Sequence, residues 1–168
     1  HQPFDQRIQL ELPDNWDHGT MYNVPIEELI EIIDNALKSG YTVVWSGDIS
    51  EAGYVLARDL SVLPKDPKLT RKQILESDEI IPEMEVTQEI RQELFETFQT
   101  VDDHLEHITG LYTDQNGVKY YNTKNSWGHE LTDTGYHKMS ENYVKGKTMC
   151  ILVHKNSIPE NIRKKLGL

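Results

Sequence analysis

Apolar residues recur at intervals of three and four from Ile26 onward, at Leu29, Ile30, Ile33 and Leu37. That is the spacing of one buried helix face. Pro25 suits the opening of this helix and Gly40 its stop. The pattern then changes to a β-rich run, Tyr41-Thr42-Val43-Val44-Trp45, ended by Ser46-Gly47-Asp48. Thr87 is placed to cap a second helix, with Ile90, Leu94, Phe95 and Phe98 on one face. From His104 the chain turns to strands. Residues 104–113 and 118–125 flank Asp114-Gln115-Asn116-Gly117, where Gly supplies positive φ and Asn tolerates it. Residues 135–139 and 147–154 read as two more strands, and Pro159 starts a last short helix.

Two stretches carry little periodicity. Residues 1–24 read as irregular around Pro3, Pro13 and the turn cluster Asp14-Asn15-Trp16-Asp17-His18-Gly19. Residues 57–86 are broken by Pro64, Pro67 and Pro82 and read as a surface excursion, although Thr70 with Gln73 can cap a short helix. One helix, one strand and then several antiparallel strands around a single core predict an α+β domain over residues 1–168.

Composition narrows the function. The 168 residues suffice for one domain with a real core. An apolar content of 37% is low, which implies much exposed surface or a face that needs a partner. A formal charge of −11 argues against nucleic-acid and anionic-membrane partners, both of which need basic patches. Acid concentrates between Glu76 and Glu96, where 8 of 21 residues are Asp or Glu. The plain reading is a solvated helix face with acidic loops. No run approaches the ~18–20 apolar residues of a membrane span. A single cysteine, Cys150, precludes an internal disulfide and favours a cytoplasmic over an exported setting without deciding it. Between Met149 and Ile151 it reads as a buried, inert thiol.

The chemistry concentrates in Asp103-His104 and Lys124-Asn125-Ser126-Trp127-Gly128. These segments resemble the histidine and asparagine half of a papain-like cysteine peptidase. Other segments narrow the resemblance to the bleomycin hydrolase and aminopeptidase C branch. They are Pro13-Asp14-Asn15-Trp16, His18-Gly19, residues 29–37 with Gly40-Tyr41-Thr42-Val43, Thr109-Gly110, Asn116-Gly117, Gly135-Tyr136 and Met139-Ser140. The resemblance implies the antiparallel, barrel-like right-hand half of a papain-like fold with flanking helices. It implies a cysteine aminopeptidase acting on peptides without a cofactor. His104 would be the catalytic histidine and Asn125 its orienting asparagine, with Trp127 covering the pair and Asp103 in support. The nucleophile matches nothing here. In papain-like order it precedes His and Asn by roughly 130–150 residues, whereas Cys150 follows both. A Cys-bearing half is therefore expected upstream of His1, as the missing partner, and this chain alone is expected to be inactive.

Other expectations follow from the same resemblance. Trp45 and Asp48, at the end of the first long strand, would flank the substrate cleft. Leu168 would carry a chain-end carboxylate that meets the substrate's free amino group. The branch also forms closed hexamers. The competing reading is a non-catalytic papain-fold binding or structural module, or an inactive fragment.

Geometry tests the central pair. If His104 and Asn125 face each other, the hairpin centre falls between Asp114 and Gln115. A tight turn at Asn116-Gly117 would instead place Asn125 opposite Ile108. A four- or five-residue loop, or a bulge on the His104 strand, is needed. His107 competes with His104 as the catalytic ring, and the position of Thr109-Gly110 favours His104. A metal held by both is disfavoured, because residues three apart on a strand point to opposite faces.

Overall fold

A computed structural model describes residues 2–13 and 15–168; His1 and Asp14, the latter part of the expected turn cluster, lie outside the described residues. The chain opens with a small hairpin, β1 (Gln6–Gln9) paired with β2 (Thr20–Asn23). Residues 1–24 had read as irregular. These strands are held by backbone pairing and are mostly exposed or half-buried, so they leave no apolar alternation in the sequence.

Helix α1 (Ile26–Lys38) forms where the periodicity predicts it. Glu27 and Glu28 lie in its first turn and Lys38 in its last, each matched to the helix dipole. At its end Gly40 takes φ +80°, and the Tyr41 N–H returns to the Ala36 carbonyl at 2.9 Å, closing the helix. Ile30, Ile33 and Ala36 join the main core. Ile32 instead packs against Ile162 and Leu166 of the last helix, so α1 is covered on two sides.

Strand β3 (Val43–Gly47) follows, then β4 (Tyr54–Val55) and β5 (Leu60–Ser61). Next come the short helix α2 (Arg71–Glu76) and α3 (Gln88–Glu96). Thr70 and Gln73 form the expected capping box, and Thr87 caps α3 by accepting from the Ile90 N–H at 3.3 Å. The excursion expected over residues 57–86 is in part interior. Val62, Leu63, Ile74 and Val86 are buried, and β5 is a strand of the main sheet. The prolines interrupt periodicity without preventing burial. Phe98, expected on the buried face of α3, is 79% exposed, because the helix ends at Glu96 and Phe98 turns out with φ +57°.

The rest of the chain is β6 (His104–Thr113), β7 (Lys119–Lys124), β8 (Tyr136–Ser140), α4 (Glu141–Lys147), β9 (Thr148–Leu152) and α5 (Glu160–Leu166). Helix α4 is absent from the sequence reading, which began a strand at Lys147. It spans seven residues, contains Gly146, and depends on the Ser140 hydroxyl accepting from the Tyr143 N–H at 3.0 Å. Such a short element shows no repeat for periodicity to detect.

The seven strands of the main sheet run in the order β4-β5-β8-β7-β6-β3-β9, and every pair is antiparallel except β5 with β8. The architecture is α+β, as expected. The sheet is open, with β4 and β9 at its two ends, and is not the closed barrel that "barrel-like" suggested. Its inner face buries Val43, Trp45, Ile108, Tyr121 and Met139 against Ile33 and Ala36 of α1 and Tyr143 and Val144 of α4. Among the described residues no helix is long and apolar enough to cross a membrane.

Candidate functional site

The hairpin of β6 and β7 builds the site. His107 pairs with Lys124 and Ile108 with Thr123, but Gly110 pairs with Asn122. One extra residue, Thr109, is thus accommodated on the His104 strand, which is the bulge the spacing required. The loop itself is wide. The Asp114 N–H donates to the Val118 carbonyl at 2.9 Å, and Gly117 takes φ +83°. Between Lys124 and Gly128 the chain leaves the sheet, tied back by the Asn125 N–H to the Gly135 carbonyl at 3.4 Å. Gly128 (φ +61°) and Gly135 (φ +76°) lie against each other there, in conformations that favour glycine.

Strand alternation places His104, Glu106 and Ile108 on the inner face of β6 and His107 on the outer face. His107 is exposed and meets the Thr42 hydroxyl at 2.7 Å, so it is not the partner of Asn125. His104 Nε2 lies 3.1 Å from Asn125 Oδ1. The Trp127 ring covers the histidine, with centroids 4.9 Å apart and planes tilted by 35°. His104 keeps 17% of its side chain exposed. Among the described residues its Nδ1 has no hydrogen-bond partner.

Asn125 is 4% exposed and uses its whole hydrogen-bonding capacity. Oδ1 accepts from His104 Nε2 and from the Ser126 N–H at 2.7 Å. Nδ2 donates to Glu106 Oε1 at 2.6 Å and to the Tyr54 hydroxyl at 2.7 Å. Tyr54 in turn donates to Glu106 Oε1 at 2.5 Å, and His137 Nε2 donates to Glu106 Oε2 at 2.9 Å. Ser61 Oγ lies 3.0 Å from His137 Nδ1. Burial and the neighbouring Glu106 carboxylate push the Tyr54 hydroxyl well above its ordinary value, so Tyr54 remains a donor. Glu106, Tyr54, His137 and Ser61 were not singled out from the sequence. The available signal was alternation: Glu106 lies two residues after His104 and so shares its face.

Several expected contributors lie elsewhere. Trp45 is fully buried and donates from Nε1 to Thr148 Oγ1 at 2.7 Å, so it forms core rather than cleft wall. Asp48 is 1% exposed. It accepts from Ser50 and from the Val101 N–H and pairs with the buried Lys147 at 3.4 Å, a structural ion cluster. Trp45 is taken up by the apolar core and Asp48 by the Lys147 ion pair, so this chain presents neither side chain at its surface. Asp103 does not touch the imidazole. Its Oδ1 accepts from the Ile49 N–H at 2.9 Å and ties the start of β6 to the loop after β3. Leu168 folds back on α5, its N–H donating to the Arg163 carbonyl at 3.0 Å, rather than extending as an arm toward His104.

Cys150 belongs to β9, separated from β6 by β3. Two strand spacings are roughly 10 Å. Burial raises its thiol above the ordinary range, the Asp102 carboxylate adds to that, and the Ser46 hydroxyl opposes it in part. Among the described residues no group of three or more His, Cys, Asp or Glu is arranged to hold a metal ion.

His104 is thus an imidazole held by an amide, covered by an indole and open at its second nitrogen. The chain belongs to the peptidase C1-like family, whose profile matches residues 1–167. No curated protein matches it. Among solved structures it is similar to PepW from Lactobacillus rhamnosis HN001 (DR20), with 16% sequence identity and a TM-score of 0.68. The similarity covers 99% of this chain and 35% of that one, so the chain spans about a third of PepW's length. At that identity the likeness establishes the fold, and the fold is that of a papain-like peptidase.

Proposed function

We propose that this chain supplies the histidine and asparagine of a cysteine aminopeptidase of the bleomycin hydrolase and aminopeptidase C type. The nucleophile would come from a Cys-bearing half outside these 168 residues. The observation that carries this reading is the pairing of His104 Nε2 with Asn125 Oδ1 at 3.1 Å beneath Trp127, with Nδ1 left open. Asn125 Oδ1 can only accept, so His104 carries its hydrogen on Nε2 and presents a lone pair on Nδ1. An approaching thiol would transfer its proton to Nδ1. Such pairing lowers a cysteine pKa from about 8.5 to ~3–4 in papain, the reference example for this effect. The sulfur would then attack the peptide carbonyl, and the Nδ1 proton would pass to the leaving amine as the C–N bond breaks. Water would release the acyl group by the reverse proton path. Asn125 would hold the ring without adding a second charge, a role given to a carboxylate in serine peptidases. Trp127 would exclude water from the hydrogen bond beneath it.

The 168 residues are proposed to act as one domain of the larger enzyme, packing across a substrate cleft against the Cys-bearing half. The test is co-expression with the upstream coding segment. The complex should release fluorophore from aminoacyl amides, and N-acetylation of the substrate should abolish release. His104→Ala should lower kcat by about 10³-fold or more, on the scale seen when a triad member is removed. Full activity of the His104→Ala complex would overturn the assignment. A complex that binds peptides without turnover would instead identify a non-catalytic module.

A further inference from the structure

We propose that Glu106 is a positioning residue that sets the orientation of Asn125, and through it the tautomer of His104; the catalytic meaning of this rests on the peptidase reading above. An asparagine carboxamide can turn over by half a rotation, exchanging its oxygen and nitrogen at almost no steric cost. Only one orientation leaves His104 with the hydrogen on Nε2. In the other, the Asn125 NH₂ would face Nε2, the ring would carry its hydrogen on Nδ1, and no base would point outward. Something must forbid the second orientation.

Two groups are able to do so: the Ser126 N–H, which only donates and meets Oδ1 at 2.7 Å, and on the other side of the carboxamide Glu106. Glu106 lies with its side chain wholly buried, and Asn125 Nδ2 meets its Oε1 at 2.6 Å. A carboxylate only accepts hydrogen bonds. Turning the carboxamide would press a carbonyl oxygen against a carboxylate oxygen at that distance, in surroundings of low dielectric where the repulsion is large. Two further donors hold the carboxylate in place. Tyr54 donates to the same oxygen at 2.5 Å, and His137 donates to Oε2 at 2.9 Å. Ser61, at 3.0 Å from the far nitrogen of His137, anchors that ring. The order Ser61, His137, Glu106, Asn125, His104 is therefore a continuous hydrogen-bonded chain across β5, β8, β6 and the segment after β7. Tyr54 alone would not enforce the orientation, since a hydroxyl both donates and accepts and would satisfy either face of the carboxamide.

The consequence is measurable without turnover. Side-chain 15N NMR of the 168-residue chain, at a pH of about 9 where imidazoles are neutral, reads the tautomer of His104 directly. The native chain should show His104 predominantly as the Nε2–H form. Glu106→Gln keeps the shape but offers a donor as well as an acceptor, so only the Ser126 N–H still opposes the turn of Asn125. The ratio of Nε2–H to Nδ1–H should then fall by about tenfold, equivalent to ~1.4 kcal/mol. Tyr54→Phe should leave the ratio within about twofold of native, well inside that tenfold change. An Nδ1–H tautomer in the native chain would overturn the proposal, and that measurement needs no variant to fold. An unchanged ratio in a folded Glu106→Gln chain would overturn it too, as would Tyr54→Phe shifting the ratio as far as Glu106→Gln. None of these readings depends on peptidase activity, so failure here and failure of the proposed function are separate results.

Discussion

Single residues divide here into those that chemistry needs exposed and those it needs buried. Cys150, expected to be buried, is half-buried on β9, and its protonation still sets it with the second group. Burial and the Asp102 carboxylate hold its thiol protonated, and a protonated thiol is a poor nucleophile. The isolated chain should leave an epoxide-type cysteine-peptidase inhibitor unreacted, and mass spectrometry should find Cys150 unlabelled at neutral pH. Aminoacyl amide turnover by the isolated chain that disappears in Cys150→Ser would show this reading to be wrong. Asp34 offers a test of stability. Burial works to raise its pKa, but hydrogen bonds from Lys119 and Tyr121 and the charges of Lys119 and Lys38 together hold it below its ordinary value of 3.8. A depressed folded-state pKa means that the unfolded chain takes up the proton first. Asp34 therefore stabilises the fold fully above that ordinary value, and the contribution is lost as pH falls through the folded-state value. Asp34→Asn should cost about 1–2 kcal/mol at neutral pH. Denaturation at a series of pH values should show the gap between native and variant narrowing below pH 3.8.

Elements owe their register to local irregularities more than to their regular parts. The bulge at Thr109 brings Asn125 level with Glu106 and within diagonal reach of His104. Deleting Thr109 should remove the bulge and make the Ile108–Thr123 and Gly110–Asn122 pairs consecutive, changing the local twist and keeping the register on both sides. His104 should stay beside Asn125, which persistence of the His104–Trp127 ring contact in NMR would report. A second irregularity lies between Ser46 and Gly47, where β3 shifts against β9. A Cβ on Gly47 would come within 2.2 Å of the Lys147 carbonyl and 2.3 Å of the Trp45 ring. Both neighbours are buried and cannot give way freely. Gly47→Ala should destabilise the chain by about 2–3 kcal/mol, as overpacking does, visible as a lower denaturation midpoint.

For the whole molecule, the low apolar fraction and the exposed apolar side chains belong together. Val101 (36% exposed), Leu105 (63%) and Trp127 (37%) all lie in or beside the segments that carry His104 and Asn125. Under the proposed function this end of the chain meets the Cys-bearing half. Light scattering of the isolated chain should show self-association that the Cys-bearing half suppresses by forming a one-to-one complex. Leu105→Glu should weaken both associations while changing stability by less than about 0.5 kcal/mol, as surface substitutions do. A monodisperse isolated chain that ignores the Cys-bearing half would argue for a stand-alone module.

Helix α1, β3, the β6–β7 hairpin, its loop and bulge, and the contact of Asn125 with His104 rather than His107 were legible in the sequence. Each rests on a local rule: a three-to-four repeat, a glycine at positive φ, or the alternation of a strand. The sequence by itself also determined that its one cysteine, Cys150, comes after both His104 and Asn125. Tertiary structure alone decided the rest. The fate of Trp45 and Asp48 depends on the apolar core, which takes up the first, and on Lys147, which pairs with the second. The interior place of residues 61–64 depends on β5 pairing with β8, nearly eighty positions away. The network behind Asn125 is the clearest case. Tyr54, Ser61, Glu106 and His137 come from four separate segments, and no local rule reveals a buried carboxylate before its donors are folded around it. Local propensity sets elements, whereas a buried polar cluster exists only once distant donors and acceptors replace the water they lost.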